Sequence, residues 1–128
     1  MGPNDVQIRR IYVKEVAGTI SNDTIRVATP WQIVIEVEAG STIHGGGTAY
    51  IVQPVIRNLT TGTTTVVPPI AGNMADASWP NQGQVLLFNP APIPPAEANH
   101  MFEVIGFVRA NVVNPDVSFA RSEPFIAV

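Results

Sequence analysis

His44 and His100 are the only imidazoles in this 128-residue chain, which also has a single lysine, Lys14, and no cysteine. Acid–base and nucleophilic chemistry therefore has few carriers. Ser41, Ser78 or Ser118 can be combined on paper with a histidine and an aspartate, but none stands in a G-x-S-x-G elbow, and a triad is defined by convergence that spacing alone does not supply. No catalytic residue is assigned. The run Gly45-Gly46-Gly47 has the composition of a phosphate cradle, yet a cradle needs a helix N-terminus behind it, and the residues from Thr48 onward read as a strand. For zinc, two histidines fall short of the three or four convergent ligands required. For calcium, the pairs Asn22 with Asp23 and Asn73 with Asp76 lack the ligand count of a binding loop, and turn chemistry explains them. The sequence thus implies no metal and no cofactor.

The elements that must position these residues follow from composition. Hydrophobic residues make up 45% of the chain and charged residues 13%, the latter about half the usual share. Counting gives 17 Val, 13 Ile and 10 Thr against 3 Leu, and β-branched side chains, stiff at χ1, suit a pleated surface. With 12 Pro and 10 Gly as punctuation, the expectation is an all-β chain of short strands and turns, folded as one domain over residues 1–128. A net charge of −3 disfavours a nucleic-acid partner, whose affinity rests on clustered Lys and Arg. No apolar run approaches the roughly 18 residues of a membrane span, and Met1 to Asp5 lacks the basic start of a signal peptide, so no membrane insertion is expected.

Strand signals are then placed along the chain. Val6 and Ile8 fall on one face and Ile11 and Val13 on the other, a phase change that a bulge at Arg9-Arg10 would repair. The clearest alternation is Trp31, Ile33, Ile35 and Val37 against Gln32, Val34, Glu36 and Glu38, which predicts a strand with the first set inward. Thr48 to Asn58 reads as a strand with Pro54 marking an edge or a bulge. A turn at Asn58 to Thr63 leads to a short strand, Thr64 to Val67. Residues from Pro68 to Gly83 read as irregular, Val85 to Phe88 as a short strand, and Asn89 to Pro95 as a stiff connection. Phe102, Val104 and Val108 alternate with Met101, Ile105 and Phe107 in a strand that is central or buried on both faces, and they are expected to meet the Trp31–Val37 face across the core. The last strand runs from Val117 to Val128, interrupted by Pro124.

Seven principal strands with turn signals about every ten residues describe an immunoglobulin-like β-sandwich of antiparallel strands. The ending Phe119-Ala120-Arg121-Ser122-Glu123-Pro124-Phe125-Ile126-Ala127-Val128 resembles the final strand of bacterial immunoglobulin-like or fibronectin-like domains, and the entry into Trp31–Val37 is similar to their second strand. The resemblance lies at superfamily level and implies a fold. An OB-type or jelly-roll barrel is the alternative arrangement that the same periodicity permits.

Charge distribution is the least ordinary feature. Between Arg57 and Arg109 there is no Lys or Arg, and the acids are Asp76, Glu97 and Glu103. Loops in that span carry Ile70, Met74, Trp79 and Ile93 among prolines, the composition of a contact surface, or of side chains folded back as a lid. These four residues are the candidate interaction loops of a non-enzymatic structural or assembly module that associates with itself or docks on a protein partner. The alternative is a carbohydrate-binding module, in which Trp79 with Tyr12 or Tyr50 would stack on sugar rings beside Asn81, Gln82 and Gln84. Asn22-Asp23-Thr24 and Asn58-Leu59-Thr60 match the N-glycosylation pattern in expected turns, and Arg9, Arg10 and Lys14 read as edge protection.

Overall fold

The computed structural model describes residues 5–16, 23–111 and 115–128. Residues 18–22, with the Asn22 acceptor, and Asn114 lie outside them. The β-branched alternation forms β1 (Val6–Glu15), β2 (Thr24–Ile25), β3 (Trp31–Ala39), β4 (Ala49–Asn58), β5 (Thr64–Val66), β6 (Ile70–Asn73), β7 (Gly83–Phe88), β8 (Met101–Ala110), β9 (Asp116–Arg121) and β10 (Phe125–Ala127). One helical turn, α1 (Ser41–Gly45), and a 3-10 turn at Pro95–Glu97 complete the described elements. The seven expected strands are present. The short extended piece expected at Ile25 and Val27 is β2, which ends at Ile25; the additions are β6 within the stretch read as irregular, and the division of the last strand into β9 and β10 ahead of Pro124.

Two sheets enclose one core. The smaller has the order β1-β3-β7, and the larger β2-β10-β8-β4-β5, with β6 also on β4 and β9 also on β8. Pairing is antiparallel except that β2 runs parallel to β10. The chain is thus an all-β sandwich, as the sequence predicts. Trp31, Ile33, Ile35 and Val37 all point inward, and Phe102, Val104 and Val108 are buried in the same core. Phe125 on β10 bridges the layers, with its ring 5.6 Å from Trp31 and 5.7 Å from Phe102. The register of β1 on β3 shifts between Ile8 and Arg10, and this bulge turns both Ile8 and Ile11 into the core.

Gly106 on β8 faces the smaller sheet at short range. A Cβ there would lie 2.6 Å from Ile11 Cδ1 and 3.1 Å from Ile35 Cδ1, so a side chain at this point would have to displace those two tips.

Two local expectations change and a third is narrowed. Pro54 is not at an edge: β4 is flanked by β8 on one side and by β5 and β6 on the other, and Pro54 falls at the junction where β4 exchanges β6 for β5. Its carbonyl accepts from Val67 N–H at 3.1 Å, and since a strand residue's N and C=O point to the same side, the missing N–H faces that junction. The glycine run, which the sequence reads as a flexible link into the strand from Thr48, instead ends α1 at Gly45 and leaves it through Gly47 at φ +65°, where a side chain would be strained. Finally, of the two positions open to β8 it takes the central one, and its outer face is mixed, with Glu103 buried and Met101 and Phe107 exposed.

Candidate functional site

The four candidate loop residues turn inward. Met74 and Trp79 are fully buried, Ile93 nearly so, and Ile70 packs half-buried against the core. Trp79 lies edge-on to Tyr50 at 4.8 Å, its indole N–H donates to the Gln82 carbonyl, and its own carbonyl accepts from His44 Nε2 at 3.1 Å. At the other end of the sandwich the proline-rich segment is held by Trp31 Nε1 donating to the Ala91 carbonyl and Ala28 N–H donating to that of Ile93. Of the two readings of these loops, burial within the chain agrees with the lid for Met74, Trp79 and Ile93, with Ile70 half-covered on β6. Burying a large apolar side chain gains roughly 1.5–3 kcal/mol, which the open ends of the sandwich supply without a partner. The same burial removes the sugar-stacking platform, since Trp79 and Tyr50 have no free ring face.

Beside this lid, at the surface, lies a hydrogen-bonded polar cluster. Ser78 Oγ bonds both the Tyr50 hydroxyl and Asp76 Oδ1, and Asp76 also accepts the backbone N–H groups of Asn73 (3.0 Å) and Ser78 (2.8 Å). The Ser78 hydroxyl, followed by those two N–H groups, holds the Asp76 carboxyl below the usual carboxylate range. Burial pushes the Tyr50 phenol up, with the Ser78 contact opposing it and the Asp76 charge adding to it. The structure thus brings Ser78 to an aspartate but bonds neither histidine to it. His44 is engaged by Trp79, and His100 Nδ1 accepts from Asn58 Nδ2 at 3.0 Å. The cluster closes the 73–78 turn, the role expected of Asn and Asp there.

Asn58 also departs from its expected accessibility. It is buried, its Oδ1 accepts the N–H groups of Thr60 and Thr61 in the β4–β5 hairpin, and its Nδ2 donates to His100, so both ends of the amide are engaged. Arg9 and Arg10 pair with Glu38 and Glu36 across β1 and β3, and Arg10 covers the Tyr12 ring at 4.3 Å.

A cleft of about 510 Å³ opens beside β5, between Thr65 to Pro68 and the segment Asn89 to Pro94. Trp31, Ile56, Ile93 and Phe102 are among its apolar lining, and Asn58, Thr63, Thr65, Asn89 and Glu97 among its polar lining.

The most exposed apolar surface lies elsewhere, on the outer face of the larger sheet. Phe107 on β8 and Phe119 on β9 are register partners with ring centroids 6.3 Å apart, and they are 43% and 66% exposed. Val117 and Val66 are exposed on the same face, and Ile105 and Val55, themselves paired, lie half-buried between them. Arg57, Arg109 and Arg121 surround this centre, and among the described residues none of the three has an ion-pair partner. The alternation with Phe102 and Val104 sets Phe107 on the opposite face of β8, and the sequence leaves open whether that face is covered; the structure exposes it.

No family model matches the chain, and no curated protein matches it. Among solved structures, the CARDB domain of a Pyrococcus furiosus protein in complex with di-metal ions is similar over 97% of this chain and 88% of that one, with TM-score 0.51 and 17% identity. A sporulation control protein of Bacillus subtilis aligns with 92% of this chain and 49% of its own, at TM-score 0.35 and 8% identity. The first likeness places the chain among β-sandwiches of immunoglobulin-like fold.

Proposed function

We propose that this chain is a non-catalytic β-sandwich module that docks on another protein through the outer face of its larger sheet. The observation that supports this reading is the aromatic pair Phe107 and Phe119, exposed at the centre of an apolar patch whose rim is Arg57, Arg109 and Arg121. Exposed aromatic surface is costly to leave in water, and arginine is enriched with aromatics in interface cores and rims. The complementary partner is a protein surface with an apolar centre and carboxylates around it. No metal step enters this reading; among the described residues no three His, Asp or Glu side chains stand together.

Site-specific photo-crosslinking in the native host tests the proposal. A crosslinker replacing Phe119 is expected to yield a discrete adduct that the same group replacing Gln7, exposed on β1 of the smaller sheet, does not. The protein identified in that adduct, once purified, is expected to bind the wild-type chain and to lose at least about tenfold in affinity with Phe107→Ser and Phe119→Ser combined. Equal adduct patterns at the two positions, or unchanged affinity, would refute it.

A further inference from the structure

The edges of the smaller sheet are finished in different ways. On β1 the outward N–H of Val6 donates to Asp116 Oδ2 at 2.7 Å and that of Ile8 lies 3.4 Å from Ser118 Oγ, so β9 closes this side with its side chains. The same strand carries a bulge and the charged residues Arg9, Arg10 and Lys14, devices that keep an edge from pairing. In the larger sheet, β5 and β6 are short and separated by Pro68-Pro69, and β9 is parted from β10 by Pro124. The opposite edge of the smaller sheet, β7, has none of these features. Its sequence Gly83-Gln84-Val85-Leu86-Leu87-Phe88 contains no charge, no proline and no bulge, and it pairs with β3 without interruption.

The register shows which backbone groups remain. Ala39 N–H donates to the Gln82 carbonyl, so Gln82, Gln84, Leu86 and Phe88 are the residues that exchange hydrogen bonds with β3. Gly83, Val85 and Leu87 therefore aim their N–H and C=O groups away from the sheet. Among the described residues the one contact to these groups is a long bond, 3.4 Å, from Gln84 Nε2 to the Val85 carbonyl. Val85 and Leu87 also expose about half of their side chains, 49% and 46%.

We infer that β7 is a strand-addition site for a second copy of this chain, pairing antiparallel with β7 of that copy about a two-fold axis. Opposite residues must project from the same face and must both carry outward backbone groups, which restricts the register to pairs of odd-numbered residues. The register with Val85 opposite Leu87, and reciprocally Leu87 opposite Val85, sets each exposed apolar side chain against another. Each of these pairs exchanges two N–H···O bonds. The strand is uncharged, so self-pairing brings no like charges together, and the symmetric contact closes at two copies. Both three-stranded sheets become one continuous sheet. This contact uses the opposite layer from the Phe107–Phe119 face and does not depend on it. A single strand pair buries little area, so the dimer is weak and concentration-dependent.

Sedimentation velocity between about 1 μM and about 1 mM brackets such an affinity. Wild type is expected to shift from monomer to dimer across this range. Val85→Lys combined with Leu87→Lys, which opposes like charges across both pairs, is expected to weaken the dimer at least about tenfold. Val85→Lys combined with Leu87→Glu, which opposes unlike charges in this register, is expected to restore it. Circular dichroism of each variant checks that the half-exposed substitutions leave the fold intact. A wild-type chain that stays monomeric throughout overturns the inference, and so does a dimer insensitive to the double lysine variant. A dimer abolished by Phe107→Ser and Phe119→Ser, with both β7 variants unaffected, would place self-association on the other sheet and overturn it equally.

Discussion

Trp79 was the residue whose composition and setting fit either a lid or a partner anchor, and its burial against Tyr50 makes it a lid. Trp79→Ala should cost about 3–5 kcal/mol of monomer stability, the range for truncating a large buried aromatic, measured as a lowered urea midpoint at a dilution where no assembly persists. Phe119→Ser, on exposed surface, should change that midpoint little. If the two variants unfold at the same urea concentration, the inward placement of Trp79 is wrong. Asp76 makes a pH prediction. Its folded pKa lies below its unfolded value of about 3.9, so the stability it contributes is present above that value and is lost as pH falls through the folded pKa. Asp76→Asn should therefore flatten the acid limb of thermal stability below about pH 4. An acid limb as steep as that of wild type would show that the Ser78 hydroxyl and the two N–H groups do not hold the carboxylate.

Strand faces and close approaches set the predictions for elements. Ile35 is fully buried on β3 and Gln32 lies half-covered on its other face. Ile35→Ala should cost about 2–5 kcal/mol, a large part of a small domain's margin, and Gln32→Ala should cost far less. Chemical denaturation of the pair checks the face assignment. Gly106→Ala tests the approach of the sheets, because the added methyl meets Ile11 and Ile35 end on. It should destabilise by about 1–3 kcal/mol as an overpacked core position. Ile11→Val, by shortening the nearer neighbour, should recover part of that loss, and additive costs in the double variant would show that the two sites do not touch. The bulge at Arg9 was legible as a phase change in β1, because the period of two breaks visibly in the sequence. The interior position of Pro54 was not: a missing N–H is equally harmless at an edge and at a junction between two partner strands, and only pairing tells them apart.

For the molecule as a whole, the proposed contacts lie on the sheets and not on the loops. The loops of the charge-poor span close the ends of the sandwich, while apolar surface remains on the outer face around Phe107 and Phe119 and along the edge of β7. Raising salt should weaken docking through the arginine-rimmed face by screening its exposed charges, and should leave β7 pairing nearly unchanged, since that strand carries none. Binding measured at low and high ionic strength distinguishes the two contacts, and a salt-insensitive docking face would deny Arg57, Arg109 and Arg121 a role.

By itself the sequence determined that the chain is all-β, which face of β3 is buried and where β1 changes phase. These follow from side-chain type and a two-residue period, both local properties. It also showed the scarcity of acid–base groups, since composition is independent of conformation. The tertiary structure alone decided that Trp79 and Met74 point in and Phe119 points out, that Asn58 is buried at a hairpin, and that β7 ends its sheet bare. Each of these depends on which distant segment lies alongside, and strand order and edge exposure are set by contacts between residues far apart in the chain, which periodicity does not encode.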